Sequence, residues 1–380
     1  MIKWKVHYVN RLSSEFKQEI SALWKTDCSR NPFTAPSFME VMTKKILSLN
    51  ETIIFAKGYG KNGRLVALWT FRLDKNKQLR FLQYHYCDYA ASLHNPHVTS
   101  HELSRGVAEL VRQVAPRAIV LDSIPEWGKT LESAVKGIKS AGYRIKVFSF
   151  DSAPVLEGSP GPEGSQVLKK KLNRRKSLKN YTNRMKRQKG FLFEIDQTGR
   201  NIDQWVEQFC DAHISRWKNT LTPSKYENSK ARDDLREVLR AWADDHLLVR
   251  FSIRLFSEPI TFVAGLKAGN TLIYFHTARR SVLSKLGPGN ITIQLMGFWM
   301  IENGYHSLDF GRGDEPYKHY FANQNRKLYR IYASRSLFSL SYAKGCVEDY
   351  IRKKEARMKI WNMIGRSLVK TEWMARIKNR

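Results

Sequence analysis

The sequence predicts an α+β fold made of two copies of one plan, each a mixed, mostly antiparallel sheet flanked by helices, with a basic helical tail behind them. Three observations carry this. A helix–meander–helix–strand order over residues 14–150 returns over 166–310. The segment EGSPGPEGS at 157–165 concentrates Gly, Pro and Ser, which suit neither helix nor strand. The chain has 380 residues, more than one hydrophobic core usually organises. No residue-level repeat relates the halves, so the duplication rests on element order.

Residues 14–25 place Phe16, Ile20, Leu23 and Trp24 at helical spacing behind Ser13 or Ser14 as N-cap, so a first amphipathic helix is expected. Segments 52–58, 64–72 and 79–86 are β-rich and separated by Gly, Asn and Lys turns, the pattern of an antiparallel meander. A helix at 101–114, a strand at 118–122, a helix at 129–140 and a strand at 143–150 complete the first unit. After the linker come helices near 166–189 and 202–218, strands at 247–256, 260–267 and 271–278, a helix near 290–303 and a strand at 306–310. The boundaries drawn from this are an N-terminal domain at 1–156, a linker at 157–165, a C-terminal domain at 166–334 and a tail at 335–380. In the tail Ile360, Trp361, Ile364 and Leu368 share one helical face, with Lys359, Arg366, Lys370, Arg376, Lys378 and Arg380 supplying charge. This reads as a helix packing on the domain, or as an amphipathic element on an anionic membrane surface.

A hydrophobic content of 42% with 10 Trp excludes a disordered or low-complexity chain. Sixty-five Lys and Arg against 35 Asp and Glu leave a net charge of +30, so the expected partner is anionic: nucleic acid, acidic lipid or a phosphorylated small molecule. Cys28, Cys87, Cys210 and Cys346 lie far apart without metal-ligand spacing, so no metal site or disulfide framework is expected. The N-terminus lacks an apolar h-region and no apolar run approaches the ~18 residues of a membrane span, so a cytoplasmic protein is expected.

Four segments could carry chemistry. LDFGRGDEPYK at 308–318 ends a strand at Asp309, flanks Arg312 with two glycines, and follows with Asp314, Glu315, Tyr317 and Lys318. Such density at a strand end suits a loop-borne active site, against the plain alternative of a solvated, self-neutralising turn. RRSVLSKLGPGNI at 279–291 runs from strand to helix. Gly287 and Gly289 would uncover helix N-terminal N–H groups for phosphate, and Arg279, Arg280 and Lys285 would add countercharge, although Gly and Pro are also ordinary loop residues. Residues 169–189 hold 11 basic residues and no acid, either a grip for phosphates or a solvated helix face with Leu172, Leu178 and Met185 inward. In DAHISRW at 211–217, His213 and Trp217 share a helical face with Arg216 beside them, which makes His213 a secondary candidate.

The block LDFGRGDEPYKHYFA, the preceding S-K-L-G-P-G, the H-x-x-R-W of 213–217 and the basic helix after 166 resemble the CelD-type (cellulose biosynthesis) acetyltransferase family. That family belongs to the GNAT superfamily and is related to Fem-type peptidoglycan aminoacyl transferases. N-P-F-T-A-P-S-F at 31–38, C-D-Y at 87–89 and L-D-S-I-P at 121–125 extend the likeness upstream. The resemblance implies tandem GNAT-like domains and an acyl-thioester donor, acetyl-CoA or another acyl-CoA. Its thioester would lie along 271–278 and its pyrophosphate on 284–291, with Gly287, Gly289 and Asn290 in the cradle. The loop departs from Q/R-x-x-G-x-G/A by having Ser284 at the first position, and Pro288 removes one N–H donor.

The reaction implied is direct transfer to an amine or hydroxyl of a polysaccharide or cell-envelope precursor. Asp309 or Asp314 is the expected base with Glu315 in reserve, Tyr317 the acid with Tyr320 as alternative, and Arg312 and Lys318 the charge stabilisers. Two alternatives stand beside it: aminoacyl transfer from tRNA, as in Fem-type enzymes, and a non-enzymatic protein that binds nucleic acid or a membrane surface.

Overall fold

The computed structural model describes residues 2–218, 223–336, 339–340 and 342–351. The first half runs β1 (Lys3–Val9), α1 (Ser14–Thr26), α2 (Pro36–Leu47), β2 (Thr52–Tyr59), β3 (Leu65–Leu73), β4 (Gln78–Phe81), β5 (Leu93–His94), α3 (Ser100–Val114), β6 (Ala118–Pro125), α4 (Thr130–Ser140) and β7 (Arg144–Glu157). The second runs α5 (Pro162–Leu172), α6 (Lys176–Lys186), β8 (Leu192–Asp196), α7 (Ile202–Trp217), α8 (Ser229–Asp244), β9 (Leu248–Leu255), β10 (Glu258–Pro259), β11 (Thr261–Ala268), β12 (Thr271–Arg279), α9 (Pro288–Glu302), β13 (Ser307–Asp309) and β14 (Gln324–Ser334).

All strands join one 14-stranded sheet in the order β1-β2-β3-β4-β6-β14-β7-β13-β12-β11-β9-β10, with β5 on β3 and β8 on β9. Pairing is antiparallel except for β4 with β6 and β12 with β13, one parallel pair in each half. The duplication is therefore visible in topology, and so is a reciprocal exchange. The last strand of each half sits against the other: β14 pairs with β6, and β7 pairs with β13. The two sheets expected from the sequence are thus one continuous sheet. Strand β7 runs on to Glu157, and only 158–161 remain before α5.

Two other expectations change. The basic stretch 166–189 is not one helix: it breaks at 173–175, where Asn173 ends α5 and Arg175 precedes α6. The strand expected at 79–86 stops at Phe81, and the chain leaves the sheet through Tyr86, whose φ is 70°.

One sheet face carries α3 and α4 over the first half, around Leu103, Val107, Leu110 and Ile138. It carries α5, α6 and α9 over the second, around Leu168, Leu172, Ile291 and Met296. The opposite face is covered by α1, α2, α7 and α8, which share one core across both halves. Its centre is Trp242 of α8, stacked on Phe38 of α2 with centroids 5.0 Å apart and donating from Nε1 to the Pro32 carbonyl at 2.9 Å. Each fully buried ring of this kind contributes about 1.5–3 kcal/mol. Where it is described, the tail begins a helix held to the sheet by Glu348 on Arg330 at 2.8 Å and Asp349 on Lys146 at 2.7 Å. The amphipathic stripe expected from Ile360 to Leu368 lies outside the described residues.

Candidate active site

Strand β12 pairs with β11 along its whole length, but with β13 only from Thr271 to Ile273. Strand β13 ends at Asp309, and the chain turns away through Gly311 (φ 67°) and Gly313 (φ 114°). Beyond Ile273 no strand pairs with this edge of β12 among the described residues, so the two parallel strands open as a fork. A register shift puts Ala264 opposite His276 and Gly265 opposite Tyr274, which leaves Phe275 as the extra residue of a bulge. Phe275 and His276 therefore both turn to the α7–α8 side, against Trp242 and Tyr86 respectively. Tyr274 faces the α9 side, towards Phe310 and Tyr317.

At the far end of the fork Leu283 and Gly287 adopt positive φ (48° and 65°), and α9 starts at Pro288 with no side-chain cap. Its first-turn N–H groups at Gly289 and Asn290 therefore lack the usual capping oxygen and can take an anion. Arg279 covers this start: a Cβ on Gly289 would lie 3.7 Å from the Arg279 Cδ. Burial, then the neighbouring Arg216, lowers the Arg279 pKa. Arg216 also bears electrostatically on Tyr274 and Tyr317, so the cation from the α7 C-terminus reaches into the fork. Lys285 is exposed beside the loop. Arg280 turns the other way, to Glu258 at 3.6 Å.

The basic helices frame this end. Leu172 of α5 packs on Gly297 of α9, where an added Cβ would lie 2.7 Å from Leu172 Cδ2. Buried Gln294 accepts from Thr182 of α6 at 2.6 Å and donates to the Leu172 carbonyl at 2.9 Å. Arg175 lies 2.8 Å from the ring centroid of Tyr320, which couples α6 to the loop after β13.

That loop sorts the acidic and basic residues of 309–320. Asp309, 2% exposed, accepts from the Tyr89 hydroxyl at 2.6 Å and the Gly311 N–H at 2.8 Å. Burial raises its pKa. Lys318, 3% exposed, donates to the Arg312 carbonyl at 2.8 Å, reaches the carbonyls of Gly311 and Gly313, and pairs with Glu315 at 2.8 Å. Its ammonium therefore holds the turn together. Asp314 is exposed and engages His319 at 2.6 Å and Ser152 at 3.2 Å. Arg312 extends to the first half, donating to Ser123 at 3.2 Å and pairing with Asp151 at 3.3 Å. Half-buried Tyr317 precedes the 3₁₀ turn Lys318–Tyr320 and faces Tyr274, and burial raises its pKa.

His213 stacks with Trp217 and meets Tyr226 edge-on, with Nδ1 2.8 Å from the Ser224 hydroxyl. Burial, with Arg216 and Lys225 nearby, pushes its pKa down to about 4, so it is neutral at pH 7. His276 lies in the same region with a buried, unpartnered Nε2, and its pKa falls well below 6.5 for the same leading reason.

Sequence reasoning gave no role to Asp88, which comes from the first half. Its Oδ2 accepts the Arg312 N–H at 3.3 Å, and burial pushes its pKa up to about 6. The only signal was the C-D-Y of 87–89, part of the family likeness, just past the strand expected at 79–86. On the same side, a cleft of about 400 Å³ opens between the halves, with Asp309 and Tyr89 lining it beside Trp127, Arg326, Asn31 and His94. Among the described residues no cluster of His, Cys, Asp and Glu could hold a metal ion, and no helix is long and apolar enough to cross a membrane.

A strand over 271–279 leading through a loop into a helix start bare of side-chain caps matches the placement that the sequence resemblance implied for a thioester donor, and the fork and the bulge are added by the structure. Residues 173–319 match the family described as Acetyltransferase (GNAT) domain. The chain has a GNAT-like fold, and the match to that family is confined to this segment. Among solved structures it is similar to the C-terminal domain of a putative lysylphosphatidylglycerol synthetase from Agrobacterium fabrum (TM-score 0.56, 10% identity, 87% of this chain and 94% of that one). It is also similar to L-PGS from Bacillus licheniformis (0.53, 12%, 90% and 98%) and to FemX (0.56, 10%, 86% and 96%). At these identities the likeness is one of fold. No match was found among curated proteins.

Proposed function

We propose that this GNAT-fold transferase is a CelD-type enzyme that moves an acyl group from acyl-CoA to a polysaccharide or cell-envelope precursor at the cytoplasmic side of the membrane. The observation that carries the reading is the β12–β13 fork ending on the uncapped start of α9 under Arg279. The open edge of β12 offers backbone groups to an extended pantetheine arm. The first-turn amides of α9, with Arg279 and Arg216, offer charge to a pyrophosphate. The acceptor enters from the other side through the cleft of Trp127, Arg326, Tyr89 and Asp309, whose aromatic wall and polar rim suit a glycan. Tyr317, at the mouth of the fork, protonates the departing thiolate.

Thermal-shift measurements with acetyl-, succinyl- and long-chain acyl-CoA test the donor. A true donor at ~100 times its dissociation constant stabilises by about 2.7 kcal/mol, and Arg279→Gln should weaken the response. No response to any acyl-CoA in the wild type would sink the reading.

Aminoacyl transfer from tRNA is the second reading, favoured by the basic α5–α6 pair beside the donor loop. Against it, the stretch between Trp217 and Leu248 holds α8 and a short 3₁₀ turn among its described residues, without the helical hairpin arm associated with Fem-type enzymes. Saturable, salt-sensitive binding of aminoacyl-tRNA without any acyl-CoA response would select it.

A further inference from the structure

We propose that the β9–β10 turn and the C-terminal end of α6 form a docking surface for an anionic lipid bilayer, with Phe256 inserted at its centre. The inference does not rest on the donor reading, because binding to lipid is measured without substrate.

The turn is built against its own conformational preference. Leu255 ends β9 opposite Glu258, which opens β10, so Phe256 and Ser257 are the two residues of a tight hairpin turn. Both have positive φ, 49° and 69°. Asn and Gly are the usual occupants of such a turn, because a bulky side chain is strained in the left-handed region. Arg254 holds the turn by donating to the Ser257 carbonyl. Here the strained position carries a phenylalanine that is 65% exposed. A large apolar side chain that gains little from the core and strains its own backbone points to a contact outside the chain.

The surroundings supply a cationic collar. Gly190, in the turn between α6 and β8, lies against the tip: a Cβ there would be 2.7 Å from the Phe256 backbone nitrogen. The exposed cations Arg184, Lys186, Arg187 and Lys189 lead into that turn. They belong to the 11 basic residues of 169–189, a run with no acid in it, and among the described residues none of the 11 forms an ion pair. The cations of α8 behave differently: Arg232 and Arg236 pair with Glu207, and Arg240 pairs with Asp203. Two more exposed apolar side chains flank the tip. Leu192 opens β8 opposite Arg254, and Val282 follows Arg280, which pairs with Glu258.

Unpaired positive charge alone would suit RNA as well as lipid. The apolar side chains decide between them. Leu192 and Val282 have no flat face on which a base could stack, whereas aliphatic and aromatic groups ringed by Lys and Arg suit the boundary between headgroups and acyl chains. The long basic side chains keep their charged ends among the headgroup phosphates while the tip enters. Val282 belongs to the loop between β12 and α9, so docking brings that loop to the membrane surface.

The test is flotation of the full chain with vesicles of phosphatidylcholine alone and of phosphatidylcholine mixed with phosphatidylglycerol. Wild type should float with the anionic vesicles only, and salt should release it. Phe256→Gly should weaken binding about tenfold or more, because the inserted ring is lost. The same change should raise the unfolding midpoint, because glycine relieves the left-handed strain. Phe256→Leu should keep most of the binding. Lys186→Gln combined with Lys189→Gln should weaken it about fivefold per charge removed. Tyr8→Ser, which removes an exposed aromatic on β1 at the opposite end of the sheet, should leave it unchanged. Equal binding to neutral vesicles, or none to either kind, would overturn the proposal. Binding unchanged in Phe256→Gly would overturn it by placing the contact elsewhere in the chain, and a midpoint lowered by Phe256→Gly would do so by showing that the ring serves the fold. Retention on a generic RNA that depends on Phe256 and resists anionic vesicles would overturn it in favour of nucleic acid.

Discussion

Replacing Gly311 by alanine probes the meeting point of the two halves. Gly311 sits at φ 67°, and its added Cβ would lie 2.7 Å from Asp88 Oδ2. Holding a Cβ-bearing residue in the left-handed region costs about 1–2 kcal/mol. To relieve the contact Asp88 must swing away and give up the Arg312 N–H, a bond to a charged acceptor worth roughly 1.5 kcal/mol at its 3.3 Å length. The total is about 2–4 kcal/mol, or roughly 3–5 °C in unfolding midpoint at ~2.1 cal/mol/K per residue. Gly63→Ala is the matched control, since Gly63 has φ 72° and nothing within 4 Å of its added Cβ, so it meets the backbone strain alone. Both variants are followed by differential scanning calorimetry and by thiol release from acyl-CoA. Gly311→Ala should be the less stable of the two and should lose turnover, while Gly63→Ala keeps it. If Gly311→Ala is no worse than Gly63→Ala in either measurement, Asp88 is not held at the fork and the geometry argued above is wrong.

Tyr317→Phe should cut turnover about 10²-fold, whereas Asp314→Asn and Glu315→Gln, whose carboxylates are exposed and ion-paired, should stay within a few-fold of wild type; steady-state kinetics on folded variants separates the two groups. His213 has its folded pKa depressed to about 4 from 6.5, so the stability it contributes is complete above 6.5 and is lost as pH falls towards 4. Midpoints recorded from pH 7.5 to 4 should therefore fall less steeply in His213→Gln than in wild type, and parallel curves would show that His213 is not held neutral.

How much of this was legible follows from where the partners lie in sequence. Helices such as α3, with a Thr99–Glu102 capping box and Leu103, Val107, Leu110 and Val111 on one face, carry their evidence within a dozen residues. Strand β12 and the loop into α9 were readable for the same reason, but the bulge at Phe275 was not. Strand β14 was missed because it is central yet studded with charge. Arg326 and Arg330 are tolerated there by Glu157 and Asp122, which come from β7 and β6. Edge strand β1 was missed because its alternating lysines look like a solvated segment. Helix α8, with Leu235, Val238, Leu239 and Trp242 buried, was readable and overlooked. At the site, the density of 309–318 was visible, but which charges point inward was not. Lys318 turns back on its own loop because three carbonyls there need a donor. Asp88 is a lone acid more than 200 residues from the loop it serves, and only the strand exchange brings it there.

That exchange makes a further prediction about the two halves. If each were an autonomous domain, residues 158–351 would fold alone. In the structure, β14 is an 11-residue strand with β6 on one side and β7 on the other, and β13 also relies on β7 for its outer edge. Removing the first half strips both edges of β14. At about 0.5–1.5 kcal/mol net per backbone hydrogen bond, the loss is comparable to the whole ~5–15 kcal/mol that stabilises a typical domain. The core covering the fork would also open, since Trp242 loses Phe38 and the Pro32 carbonyl. The isolated second half should therefore show no cooperative unfolding transition by calorimetry. Co-expression of residues 1–160 with 161–380 should restore a complex, because the break falls in the short connection after β7 and spares every strand pair. A cooperative transition in the isolated half would mean that the β14–β7 pairing is dispensable. The alignment of Asp88 with Gly311 would then need another explanation.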